Sequence, residues 1–244
     1  MSKTAKSIGA VFALLLAVAG FAGWWIFGHL GQLVEQAIES QGPPITGTSV
    51  SLDGATISVF SGEGSLRGLD IGNPKGFSDE AAFRLGKIET AIDVASITGD
   101  VIKIRSIVID GPRLTAEFDA NGANNLKAIL DHARSAAGGS GAAKESSGSG
   151  KQQKLIIDEF NFVNAEVRVL APAYKLDKSL KLGPIKLKGL GAKQGGAAAA
   201  DIASQILRPV VDEAVRAATN EYLRTKRDEL KDKATEKLLD KVFK

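Results

Sequence analysis

Val101-Ile102-Lys103-Ile104-Arg105-Ser106-Ile107-Val108-Ile109-Asp110 alternates apolar and polar side chains with the period of a β-strand, apart from one slip. Ile102 and Ile104 share one side, with Lys103 and Arg105 on the other. The phase slips at Ser106, after which Ile107 and Ile109 resume the apolar side, so a β-bulge is expected there. A sheet made of such strands is apolar on one face and wet on the other, as antiparallel sheets usually are.

The same alternation extends in both directions. Strands are expected near 46–52, 55–60, 64–71, 83–95 and 113–119, and again at 155–162, 166–170 and 180–187. Ile88, Ile92 and Val94 oppose Lys87, Glu89 and Asp93, while Phe160 and Phe162, Val167 and Val169, and Ile185 and Leu187 repeat the pattern. A short helix is expected from Asn124 to Arg134, with Leu126, Ile129 and Leu130 on one side. The segment 135–154 is almost wholly Gly, Ser, Ala, Lys, Glu and Gln and reads as a disordered linker. Gly189 to Gly196 reads as a second flexible stretch.

Helices are expected at both ends. From Ile8 to Phe27 no residue is charged, and about 20 residues at about 1.5 Å each match a hydrocarbon core roughly 30 Å thick. Lys3 and Lys6 precede this run and Glu35 and Glu39 follow it, which keeps the N-terminus cytoplasmic and exports the rest. Trp24 and Trp25 fall at the outer end, in the headgroup region that indoles prefer. The competing reading is a signal peptide cleaved after Ala17-Val18-Ala19, but the apolar run continues through Trp24-Trp25-Ile26-Phe27. Leu33-Val34 and Ala37-Ile38 carry the helix on to about Ser40, where Gln41-Gly42-Pro43-Pro44 stops it. At the other end, Pro209 is expected to open a helix lined by Val211, Val215, Ala218 and Tyr222, continued by Leu230, Ala234, Leu238 and Val242. That helix could pack on the sheet, self-associate or lie along a membrane.

The expected organisation is therefore a cytoplasmic N-terminus (1–7), a transmembrane anchor (8–28), a β domain (29–134), a linker (135–154), further strands with a Gly-rich stretch (155–196) and a C-terminal amphipathic helix (197–244). The fold class is mainly β with helical termini, the sheet antiparallel and able to form a groove.

Function classes are narrowed by what is missing. The 244 residues hold no Cys, which excludes thiol catalysis and Cys-based zinc sites, and the net charge of +3 comes without a basic stripe for nucleic acid. His29 lies at the membrane edge, and His132 beside Asp131 reads as a surface pair. Gly62-Glu63-Gly64 with Gly68 lacks dinucleotide spacing and leads into a strand, and Gly150-Lys151-Gln152 lacks the Ser or Thr of a P-loop. No enzyme, cofactor or metal site is expected.

One stretch is distinctive: Gly64-Ser-Leu-Arg-Gly-Leu-Asp-Ile-Gly-Asn-Pro-Lys-Gly-Phe77, followed by Ala82-Phe-Arg-Leu-Gly-Lys-Ile88, Val101 to Pro112 and Asn124-Asn-Leu126. This order resembles the N-terminal region of AsmA-like proteins, of the AsmA, TamB and chorein-like superfamily. The resemblance covers roughly Met1 to Arg134. It implies a single-pass anchor in a bacterial inner membrane and a periplasmic β domain that handles lipids, phospholipid foremost. In that superfamily the sheet curls into a groove holding acyl chains. Here Leu66, Leu69, Ile71, Phe83, Leu85, Ile88 and Ile92 would line it, with Ile102, Ile104, Ile107, Ile109, Leu114 and Phe118. The residue pattern alone fits a core sealed by a helix equally well. A structural subunit that binds other envelope proteins, or copies of itself, is the alternative function. About nine strands at about 4.8 Å spacing would make a sheet roughly 45 Å wide, too small to bridge an envelope alone.

Overall fold

The computed structural model describes residues 30–58, 60–138 and 154–242. The expected anchor at 8–28, with Trp24 and Trp25, lies outside the described residues, as do His29 and residues 139–153 of the expected linker. Among the described residues no helix is long and apolar enough to cross a membrane.

Ten strands form one sheet: β1 (Val50–Ser51), β2 (Gly54–Ile57), β3 (Glu63–Ile71), β4 (Phe83–Ile92), β5 (Val101–Asp110), β6 (Arg113–Glu117), β7 (Lys154–Val163), β8 (Glu166–Ala171), β9 (Leu176–Lys181) and β10 (Ile185–Leu190). Among the described residues three α-helices accompany it: α1 (Leu30–Thr46), α2 (Asn125–Gly138) and α3 (Ala199–Val242). The sheet is mixed, which corrects the antiparallel expectation. β5 pairs with β7, and β6 with β8, in parallel. The physical reason is where the chain re-enters: β7 starts at the end where β5 began, with Lys154 opposite Val101, so it must run the same way.

The ten strands behave as six long ones. Phe83↔Leu114 and Ile88↔Ile109 share one register, so β5 and β6 are two halves of a single strand along β4. Likewise β7 with β8, β9 with β10, and β1 with β2 keep one register across their breaks. These registers place the breaks side by side, in the transverse row Asp53, Gly68, Gly86, Gly111, Asn164 and Gly183. Gly68 (φ 60°), Gly111 (φ 66°) and Asn164 (φ 53°) adopt the left-handed conformation that Gly and Asn tolerate best. The sheet is creased along this row. Crossing it shifts the alternation by one residue: Phe83 and Leu85 are buried before it and Ile88 after it. An unbroken pleat would have turned Ile88 out to water.

A second, shorter row of breaks contains Arg105, Asp158 and Gly189 (φ 63°). The expected bulge exists, with Arg105 rather than Ser106 as the unpaired residue, opposite the register shift between Ala91 and Ile92. At the main crease, Gly68→Ala would set a Cβ 1.9 Å from the Asp53 carboxylate oxygen in a left-handed conformation. An expected loss of about 1–2 kcal/mol should appear as a lower urea midpoint with unchanged slope.

The helices differ from expectation at their ends. α1 runs through Pro43 and Pro44 to Thr46. Its last turn is closed by Gly47 N–H donating to the Pro43 carbonyl and Thr46 Oγ1 to the Gly42 carbonyl. α1 lies against β1 and β2: a Cβ on Gly31 would meet the Ala55 carbonyl, one on Gly42 would meet Val50, and Glu39 Oε1 accepts from Leu52 N at 3.0 Å. α2 starts where Asn124 caps it, its Oδ1 accepting from Lys127 N. Within Gly189 to Gly196, Gly189 and Leu190 end β10 and Ala192–Gln194 form a short 3-10 turn. Gly191 and Gly196 are buried, and a Cβ on either would strike Leu155 or Lys154.

Pro209 sits inside α3 rather than at its first position. The helix opens ten residues earlier, where the Leu155↔Ala197 bridge fixes its start against β7. α3 then travels the length of the sheet, burying Ile202, Val210, Val211, Ala214, Ala218 and Tyr222. Tyr222 stacks on Phe118 (centroids 4.6 Å apart) and meets the edge of Tyr174 (5.3 Å). Past Tyr222 no described side chain is buried. Roughly 30 Å of helix thus projects from the body of the domain.

Candidate lipid-facing surface

Cross-strand neighbours gather the apolar positions into rows across the inner face. Nearest the start of β5 lies Ile102 with Leu155, then Ile92, Ile104, Ile157 and Leu190. Next come Ile107 with Phe160 and Leu187, then Leu66, Ile88, Ile109 and Phe162. Beyond the crease follow Leu69 with Leu85, and Ile71, Phe83, Leu114 and Val167.

Helices α2 and α3 seal part of this face and leave part of it half-covered. Ile71, Phe83, Leu85, Ile88, Ile109, Leu114 and Phe118 are buried in one core with Leu126, Ile129 and Leu130 of α2 and Val210, Val211 and Ala214 of α3. Leu66, Leu69, Ile92, Ile102, Ile104 and Ile107 are half-buried. The thirteen expected lining residues are thus brought onto one face but divided between a sealed interior and a partly open margin. The division follows position. All of the half-buried residues except Leu69 lie on one side of the crease, toward the end where α1 begins, since Gly31 abuts Ala55 and Ala55 pairs with Leu66.

Two shallow concavities lie elsewhere. One of about 290 Å³ opens between α2 and α3, with Leu130, Val211 and Val215 as its floor and Lys127, Arg134, Arg216 and Asp212 around it. Arg134 and Arg216 are already paired with Asp131 and Glu213 on their own helices. The other, about 570 Å³, is a trough on the outer face, with Thr56, Ser65, Glu63, Glu89, Ala91 and Val108 among its walls. Among the described residues no group of three or more His, Cys, Asp or Glu side chains is placed to hold a metal ion. His132 is exposed and lies against Gly47.

The distinctive Gly72-Asn73-Pro74-Lys75-Gly76-Phe77 segment is a clasp at the far end of the sheet. The buried Glu117 carboxylate accepts from Ser78 N (3.1 Å), Ser78 Oγ (2.6 Å) and Asn73 Nδ2 (3.2 Å). Asn125 Nδ2 donates to Asn73 Oδ1 (2.6 Å) and the Thr115 carbonyl (2.8 Å), while Asn125 Oδ1 accepts from Glu117 N (2.8 Å). The loop, β6 and α2 are thereby locked together. Gly72 passes close to Ser49, whose Oγ would lie 2.3 Å from a Cβ there. Glu117 carries no motif of its own, so sequence gave no warning of its part in the clasp.

On the surface, Arg168 binds Asp177 at 2.6 Å and Glu80 at 2.9 Å, tying the loop before β4 to β9. The Arg168 hydrogen bond holds the Asp177 carboxyl below its ordinary 3.8. A depressed carboxyl stabilises the fold above its ordinary pKa and loses that effect as pH falls through the folded value. Arg168→Ala should therefore lower Tm slightly at neutral pH, with the gap to wild type closing as pH falls below 3.8 through the lowered Asp177 value.

A creased mixed sheet lined by apolar rows and capped by three helices defines a β domain that encloses or presents apolar surface. A model of the AsmA family matches residues 63–186, just over half of the 244 residues, from the first residue of β3 into β10; the chain belongs to this family. No curated protein and no solved structure matches it.

Proposed function

We propose that the domain is a non-catalytic envelope module that takes lipid acyl chains onto its half-covered apolar rows. The reading places it in the periplasm, tethered by 8–28 to the inner membrane with the N-terminus cytoplasmic. The observation that carries it is the position of Ile102, Ile104, Ile107, Ile92 and Leu66. They stay half-buried at the end where α1 starts, while Phe83, Leu85, Ile88, Ile109 and Leu114 are sealed. That end is also where chain enters from the uncharged run, so the open rows would face the bilayer that supplies the lipid.

Dimensions limit the mechanism. Six long strands at about 4.8 Å span roughly 29 Å, narrower than ten separate strands would be, so shielding is local rather than a bridge between membranes. Native mass spectrometry of the detergent-extracted full chain tests the reading. Bound phospholipid is expected on the wild type, with at least about tenfold lower occupancy on folded Ile104→Asp, whose tether is intact. Equal lipid retention by both would count against the rows as the site.

A scaffold role is the second reading, favoured by one observation. Leu223, Leu230, Leu238 and Leu239 are 54%, 60%, 64% and 52% exposed on the projecting end of α3. Leu223, Leu230 and Leu238, seven and eight residues apart, fall along one stripe of the helix, as the contact residues of helix-association surfaces do. If that reading holds, Leu230→Glu with Leu238→Glu should reduce a stable oligomer or heteromeric complex to a single chain in the same mass spectra.

A further inference from the structure

We infer that the turn between β2 and β3 is a second membrane contact, with Phe60 entering the lipid headgroup region beside the tether. This rests on the reading of 8–28 as membrane-spanning and adds an orientation to it. Phe60 is 99% exposed, an extreme value for an aromatic side chain in a folded domain. A single exposed apolar residue is ordinary, so its setting must decide.

Three observations supply that setting. The turn is held firmly: Gly62 N donates to the Ser58 carbonyl (2.8 Å), and Ile92 N to the Gly62 carbonyl (2.6 Å). Gly62, at φ 73°, fits so closely that a Cβ would lie 2.1 Å from the Ile92 carbonyl oxygen. Gly62, two residues after Phe60, is thereby pinned against β4. Next, the turn lies at the end of the molecule where α1 begins. α1 runs antiparallel to β2, from Gly31 at Ala55 to Gly42 at Val50, so its start points along β2 toward the turn. Leu33, in the first turns of α1, is itself 41% exposed. Finally, Arg105 Nη2 donates to the carbonyl of Ser61, the residue after Phe60 (3.1 Å), which brings a guanidinium into the same turn. An aromatic ring with a cation in the same turn suits a phospholipid surface, where the ring meets the interface and the cation the phosphates. The exposed leucines of α3 lie past Tyr222, at the opposite end, and play no part in this contact.

The absence of Cys permits single-site labelling of the full chain. Phe60→Cys, Ala13→Cys and Ala173→Cys would each carry an environment-sensitive fluorophore in phospholipid nanodiscs, with brominated acyl chains as quencher. Ala13 reports the tether, and the exposed Ala173 reports the end near Tyr174. At least about twofold quenching is expected at Ala13→Cys and Phe60→Cys, and none at Ala173→Cys. Quenching at Ala13→Cys with Phe60→Cys behaving like Ala173→Cys would overturn the inference and leave the tether standing. No quenching at Ala13→Cys would overturn the tether and the inference together. A blue-shifted label at Phe60→Cys that bromolipid does not quench would assign the turn to a protein partner, which also overturns it.

Discussion

Leu114→Asp is expected to abolish cooperative folding, with no sigmoidal transition in urea and near-random far-UV circular dichroism at 25 °C. Leu114 is 1% exposed and sits between Phe83 and Val167 in the best-sealed row of the sheet. A carboxylate there would be buried without a partner, at a cost of several kcal/mol, comparable to the whole stability of a domain at about 5–15 kcal/mol. Ile104→Asp gives the informative contrast. Ile104 occupies the same face but is half-buried, so its carboxylate can reach water and the fold should survive with a loss of about 1–3 kcal/mol. Unfolding of both variants to the same extent would mean that the margin is as closed as the interior.

The second large effect is expected at the clasp. Asn125→Ala removes a side chain that is 0% exposed and makes three hydrogen bonds. Glu117 N, the Thr115 carbonyl and Asn73 Oδ1 would all lose a partner in a dry site. Each unsatisfied group costs about 1–3 kcal/mol, so a total near 3–5 kcal/mol is expected after partial relaxation. Urea denaturation checks this directly. A loss under about 1 kcal/mol would show that the loop, β6 and α2 hold together without the clasp. Asn125→Asp should cost at least as much, since it keeps the acceptor for Glu117 N but turns a buried carboxylate oxygen onto the Thr115 carbonyl and Asn73 Oδ1.

Much of the sheet was legible because burial on one face imposes period-two alternation. Ile102, Ile104, Ile107 and Ile109 stand on the inner face as their spacing required, with the bulge one residue from its expected place. What alternation could not reveal was the crease. Gly86 or Gly111 alone looks like an ordinary glycine, and only the registers show that pairing is interrupted in one line across six strands, four of which break there. The region read as one strand from 180 to 187 conceals the end of β9, the break at Gly183 and the start of β10. Parallel pairing was equally hidden, because it depends on where the chain returns after α2 rather than on any residue in β7.

The candidate site was half legible. The apolar positions were identifiable, but the cover was not, since Ile202, Val210 and Ala214 become a lid only once α3 runs along the sheet. Pro209 misled for a local reason. Proline favours the first turn of a helix, yet α3 accommodates it internally with its start fixed ten residues earlier, at Ala199. Phe60 was read as the last residue of a strand, where it would have packed. It lies instead in the turn beyond β2, and two flanking serines and Gly62 were the available signal.

The claim that the half-covered rows accept acyl chains has one direct measurement. The full chain would be reconstituted in nanodiscs containing phospholipid with a photoreactive acyl chain, irradiated, digested and mapped by mass spectrometry. Adducts are expected on peptides carrying Leu66, Ile92 and residues 102–107, with none on the sealed Leu114 and Val167. Adducts confined to residues 1–29, or spread evenly over the outer face, would contradict it.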